Sequence, residues 1–257
     1  MTKEVLIGIL IPFLGTTLGA ACVFFLKGDI KESVQKALMG FASGVMIAAS
    51  VWSVIIPSID MSVDMGRFAF VPAVVGFLLG MIFLLIMDKI IPHVCNVGVS
   101  DGAKTKLQKD IMLVLAVTLH NLPEGMAVGV VFAGVQSDTI SLSGAIAMTL
   151  GIAIQNFPEG AIISMPLKSG GMKKGKAFLY GVLSGIVEPI GALVAIALFS
   201  RIIMLLPYVL SFAAGAMIYV VIEELIPEMA QGKRSDMGTM GFALGFIIMM
   251  ILDVQPC

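Results

Sequence analysis

Two six-residue stretches carry most of the chemistry this chain can perform: His120-Asn121-Leu122-Pro123-Glu124-Gly125 and Gln155-Asn156-Phe157-Pro158-Glu159-Gly160. Each lies within a long apolar run, where an ionisable side chain is costly and marks a functional site by default. In a helix, His120 and Glu124 share one face, as do Gln155 and Glu159, while Asn121 and Asn156 sit one step round. A third acid, Glu188, lies in another apolar run, within Ile186-Val187-Glu188-Pro189. Three carboxylates brought together in lipid would repel one another, and a divalent cation between them removes both the repulsion and the cost of burial. The alternative is a structural network in which the acids are protonated and hydrogen-bonded. The donors are nitrogen and oxygen without thiolate, a set that suits Zn²⁺, and also Fe²⁺, Mn²⁺, Co²⁺ or Cd²⁺, better than Cu⁺.

The elements that must position these residues are membrane helices. The chain is 58% hydrophobic and 13% charged, about half the charge of a soluble domain, and its mean hydropathy is +1.04. Apolar runs of roughly twenty residues recur along it, as expected of an all-α polytopic membrane protein. Eight spans are expected, at about 5–26, 37–57, 70–91, 111–134, 141–165, 177–200, 208–228 and 238–254, forming one transmembrane domain over residues 1–257. The first is too long for a signal-peptide core. Cys22, Cys95 and Cys257 are scattered, without the spacing of a disulfide framework or a thiolate metal site.

Lysine and arginine fix the expected orientation. Thirteen of the sixteen fall in or beside the connectors after spans one, three, five and seven, leaving Lys3, Arg67 and Arg201 for the other side. By the positive-inside rule both termini are extracytoplasmic. Spans four and five then run in opposite directions, so the repeated motif has the form of an inverted repeat about a mid-membrane site. Pro123 and Pro158 are expected to kink their helices and to free the carbonyls of Leu119 and Ile154. Glycine pairs four residues apart, Gly15/Gly19, Gly76/Gly80, Gly181/Gly185 and Gly241/Gly245, fit close helix packing.

With its paired His-Asn-x-Pro-Glu-Gly and Gln-Asn-x-Pro-Glu-Gly motifs in spans four and five, the chain resembles the ZIP family of divalent metal-ion transporters, and specifically its prokaryotic GufA-like branch. The resemblance implies a binuclear site. One metal would take His120, Glu124, Gln155 and Glu159, with Met46 of span two nearby. The other would take Asn121, Asn156 and Glu188, with Glu124 and Glu159 bridging. Ser53 and Asp60 resemble the family's entrance path, and Glu223, Glu224 and Asp253 are further pathway candidates. Many relatives have histidine at the position of Gln155 and a histidine-rich loop after span three, where this chain carries only His93. The resemblance also implies a homodimer in the plasma (inner) membrane of a prokaryote and an elevator-like movement of one helix group against another.

The expected function is therefore uptake of divalent metal, Zn²⁺ first and then Cd²⁺, Fe²⁺ or Mn²⁺, by alternating access. The metal is substrate, with no prosthetic group and no nucleic-acid partner expected. An intramembrane zinc hydrolase is the rival. Catalytic zinc needs three protein ligands, an open position and a base, and the chain has two histidines and no His-Glu-x-x-His. A cation sensor or a purely structural membrane protein is the third reading.

Overall fold

Backbone in hydrocarbon must satisfy its own hydrogen bonds, which a continuous helix does, and the apolar runs fold accordingly. The computed structural model describes residues 3–95, 106–199, 203–230, 232 and 236–254. Eleven α-helices occur among them: α1 (Lys3–Ala21), α2 (Glu32–Ala49), α3 (Ile56–Asp60), α4 (Phe70–Cys95), α5 (Lys106–Gln136), α6 (Leu142–Ser169), α7 (Lys174–Gly185), α8 (Val187–Phe199), α9 (Leu206–Val220), α10 (Ile226–Ala230) and α11 (Met237–Val254). No strand occurs among the described residues. Among the described residues, these helices and the short helical pieces adjoining them give seven segments long and apolar enough to cross a membrane, α7 and α8 counting together as one. The first motif lies in α5, a helix of 31 residues. Val74, Leu78, Leu79, Ile82 and Ile86 of α4 are exposed, a continuous apolar face that needs lipid or protein against it rather than water.

Three departures from plain helical spans concern the site. The sixth expected span is broken at Ile186, dividing it into α7 and α8. Pro189 explains the break, because it cannot donate to the carbonyl of Gly185. Glu188 consequently lies in the first turn of α8. The second and seventh spans each contain a π-helical stretch, Ser50–Ile55 and Val221–Leu225. Each stretch leads into an Ile-Pro pair, Ile56-Pro57 and Ile226-Pro227, and ends on an i−5 bond, Ile56 N–H to Val51 O and Ile226 N–H to Val221 O. Matching sequences precede them, Phe41-Ala42-Ser43-Gly44-Val45-Met46-Ile47 and Phe212-Ala213-Ala214-Gly215-Ala216-Met217-Ile218. These two spans are thus a second repeated pair, outside the paired motifs. The connector expected over 92–110 is shorter than that, since α4 runs to Cys95 and α5 starts at Lys106.

Packing divides the helices into two groups. α1 packs mainly on α6 and α5 on α8, while α2 packs on α11 and α4 on α9. Within each pair glycine lets the backbones touch. A β-carbon at Gly15 or Gly19 of α1 would strike the backbone of Ala153 or Phe157 in α6, and one at Gly125 would strike that of Glu188. In the other group, Gly44 meets Phe242 and Gly80 meets Phe212 in the same way. The two groups meet chiefly where α2 faces α6 and α5 faces α9. Between the groups, the close glycine contact is of Gly151 with the thioether of Met249, a flexible side chain rather than backbone. The first group is also tied at its expected cytoplasmic end. Lys168 Nζ donates to Gly28 O (2.6 Å) and Lys174 Nζ to Phe24 O (2.9 Å). In the second, Tyr219 of α9 donates to Asp88 of α4 at 2.8 Å.

Candidate metal centre

α5, α6 and α8 carry the three intramembrane acids, and their packing buries all of them. Asn121, Gln155 and Asn156 are 0% exposed, Glu124 and Glu188 1%, and Glu159 8%. The helices run unbroken through Pro123 and Pro158. The missing N–H groups still leave the carbonyls of Leu119 and Ile154 without their helix donors.

Hydrogen bonds join the three helices through these side chains. Gln155 Nε2 donates to Glu124 Oε1 at 2.6 Å, linking α6 to α5. Asn121 Nδ2 donates to Ser184 O at 3.0 Å and to Glu188 Oε1 at 3.3 Å. Thr16 of α1 donates from Oγ1 to Glu188 Oε1 at 2.6 Å. Six further polar atoms of the cluster find no hydrogen-bond partner among the described residues: Asn121 Oδ1, Glu124 Oε2, Gln155 Oε1, Glu188 Oε2 and both side-chain atoms of Asn156. A buried polar group left without a partner costs about 1–3 kcal/mol, more if charged. Five of the six atoms are oxygens, and a cation would satisfy oxygens where a hydrogen-bond donor is lacking.

Carboxylates and amides have to share the work. Among the described residues, no group of three or more His, Cys, Asp or Glu lies close enough to hold a metal ion unaided. The side chain of His120 lies outside the described residues, as does that of His93, which falls in the last turn of α4 rather than in a free loop. Met46 is 1% exposed, in an apolar cluster that Ile154 of α6 packs against.

Two cavities flank the cluster. Ser53 and Asp253, 200 residues apart, meet at 2.5 Å with the hydroxyl donating. They line a cavity of about 340 Å³ with Trp52, Ser141 and Met148, at the expected outer end. Asp60, expected on the same path, is exposed and is not among the residues lining this cavity. On the opposite side a cavity of about 30 Å³ lies between Glu159 of α6 and Glu224, with Val117, Ile162, Val220 and Leu225. Glu223 is exposed. Thr16 is the site residue that the sequence reading missed; its one signal was the Thr16-Thr17 pair between Gly15 and Gly19.

Such a molecule is a multi-pass membrane protein with a buried oxygen-rich centre suited to a cation. Comparison with known proteins gives it a family. The family described as ZIP Zinc transporter matches residues 100–253. The chain is 35% identical to zinc transporter ZIP11 of Xenopus tropicalis, over 97% of this chain and 96% of that one. It is 34% identical to zinc transporter GufA of Myxococcus xanthus, over 97% and 98% of the two chains. With zinc transporter ZIPB of Bordetella bronchiseptica it shares 37% identity over 94% of this chain and 77% of the other. The chain belongs to the ZIP zinc transporter family. These relatives are transporters rather than enzymes, which sets aside the hydrolase alternative.

Proposed function

We propose that this protein carries divalent transition-metal ions, Zn²⁺ first and then Cd²⁺, Fe²⁺ or Mn²⁺, into the cytoplasm by alternating access. The observation that carries the reading is the set of five buried side-chain oxygens on α5, α6 and α8 without hydrogen-bond partners among the described residues. An apolar interior holds such atoms cheaply only if a hydrogen-bond donor or a cation meets them. The relatives' names add zinc as the first substrate to test.

The proposed site is binuclear, with the ligands that the motifs supply. His120, Glu124, Gln155, Glu159 and Met46 serve one ion. Asn121, Asn156 and Glu188 serve the other, with Glu124 and Glu159 bridging. Ions enter past Ser53, Asp253 and Asp60 and leave past Glu224 and Glu223. The cavities on either side of the cluster support the parts of that path at Ser53 and Asp253 and at Glu224, whereas Asp60 and Glu223 line neither. Amide ligands bind more weakly than thiolates, which suits a centre that must release what it captures. Eight spans with both termini outside, in a single transmembrane domain of a homodimer in the plasma membrane, complete the proposal. The movement is that of the α1/α5/α6/α7/α8 group against the α2/α4/α9/α11 group. Backbone contact at glycine stiffens each group internally, while side chains form the seam between them, and this contrast favours sliding of two stiff bodies.

Purified protein in proteoliposomes tests the proposal. Saturable inward flux of Zn²⁺ above that of empty vesicles is expected, with Cd²⁺, Fe²⁺ and Mn²⁺ compared alongside it. Absence of saturable flux for all four ions would overturn the reading.

A further inference from the structure

The Glu188 carboxylate is held unevenly. Its Oε1 accepts from Thr16 Oγ1 at 2.6 Å and from Asn121 Nδ2 at 3.3 Å, whereas its Oε2 has no hydrogen-bond partner among the described residues. Thr16 is 0% exposed, and its hydroxyl is also within a long 3.5 Å of Pro12 O. The position of Thr16 in the repeat is informative. Gly125, which ends the first motif, packs on the backbone of Glu188 in α8. Gly160, its counterpart in the second motif, packs on the carbonyl of Thr16 in α1. Thr16 therefore stands in one half of the molecule where Glu188 stands in the other, and the two side chains meet.

We infer that Thr16 is a positioning residue for metal binding: its hydroxyl turns the Glu188 carboxylate so that Oε2 faces the substrate ion. Two glutamates at these related positions would add another buried negative charge and supply no donor between them. Threonine supplies the donor. Its methyl also fills the space beside Gly185, where an added β-carbon would touch Thr16 Cβ and Cγ2. The hydroxyl fixes which oxygen is free, and asparagine alone, at the longer distance, holds the carboxylate less firmly.

This inference rests on the proposed role of Glu188, so its test keeps the two apart. Zn²⁺ binding to the full-length protein in detergent is measured by titration calorimetry for the wild type, Thr16→Val, Thr16→Ser, Glu188→Gln and the Thr16→Val/Glu188→Gln double variant. Thr16→Val is expected to weaken the Glu188-dependent binding step by about tenfold, the scale of a lost hydrogen bond to a charged group. Thr16→Ser restores binding close to wild type. In the Glu188→Gln background, Thr16→Val adds no further loss, which separates positioning of Glu188 from a merely structural role. Equal losses in both backgrounds, or wild-type binding by Thr16→Val while Glu188→Gln is impaired, would overturn the inference. Wild-type binding by Glu188→Gln would instead overturn the ligand assignment, and this inference with it. If the valine variant does not fold, Thr16→Ala removes the same hydroxyl and is read against the same outcomes.

Discussion

Glutamine in place of Glu124 or of Glu159 is expected to lower Zn²⁺ flux into proteoliposomes by at least about a hundredfold, the upper end of what even an outer-shell partner of a metal ligand costs. The protein itself should remain folded. Glutamine has nearly the same shape as glutamate, and each exchange removes one of three carboxylates buried without a lysine or arginine among the described residues. The metal-free variants should therefore melt no lower than the wild type. What they should lose is the stabilisation that Zn²⁺ confers, about 2.7 kcal/mol at a hundred times the dissociation constant. Thermal scans with and without Zn²⁺ measure that difference beside the flux assay. Normal uptake by both variants would remove the site.

The second large effect is on assembly. Gly19→Val places a β-carbon against the backbone carbonyl of Phe157, inside the second motif. Neither helix backbone can yield as a side-chain tip would, so α1 must move off α6. Overpacking of this kind costs about 1–3 kcal/mol or more. It should appear as a lower melting temperature or as loss of monodisperse protein in detergent. Gly175→Ala is the matched control. Gly175 is exposed near the start of α7 with nothing within 4 Å of the added atom, and the change should stabilise the helix by about 0.5–1 kcal/mol. Equal behaviour of the two variants would show that the glycine contacts do not govern how α1 and α6 pack.

The physical cost of a residue in its setting governs how legible it is. Glu124, Glu159 and Glu188 stand out because carboxylates in apolar runs require a reason. The repeat that pairs Asn-x-Pro-Glu-Gly with itself likewise points to contact between α5 and α6, and the Gln155–Glu124 bond is that contact. Helical class follows equally directly from apolar length. Thr16 carries no such mark, since a threonine in a membrane helix can bond to its own backbone, and only the approach of α8 gives its hydroxyl the Glu188 partner. Ser53 and Asp253 are each visible as polar residues, yet their meeting depends on α11 packing against the span containing α2. The π-helical stretches are hidden for a related reason: Pro57 and Pro227 announce an irregularity, but a proline allows a bulge, a break or a continuous helix. At Pro123 and Pro158 it leaves the helix unbroken, and at Pro189 a break falls three residues earlier.

The lysine bonds near the end of α1 bear on how far the two halves can travel. Lys168 and Lys174 hold the carbonyls of Gly28 and Phe24 to the first group, while α2, in the second, begins at Glu32. The chain left between these anchors is Asp29, Ile30 and Lys31. Four Cα steps reach at most about 14 Å when fully drawn out. This short leash caps the stroke along one side, so a longer excursion would have to tilt about that corner or first let go of a lysine.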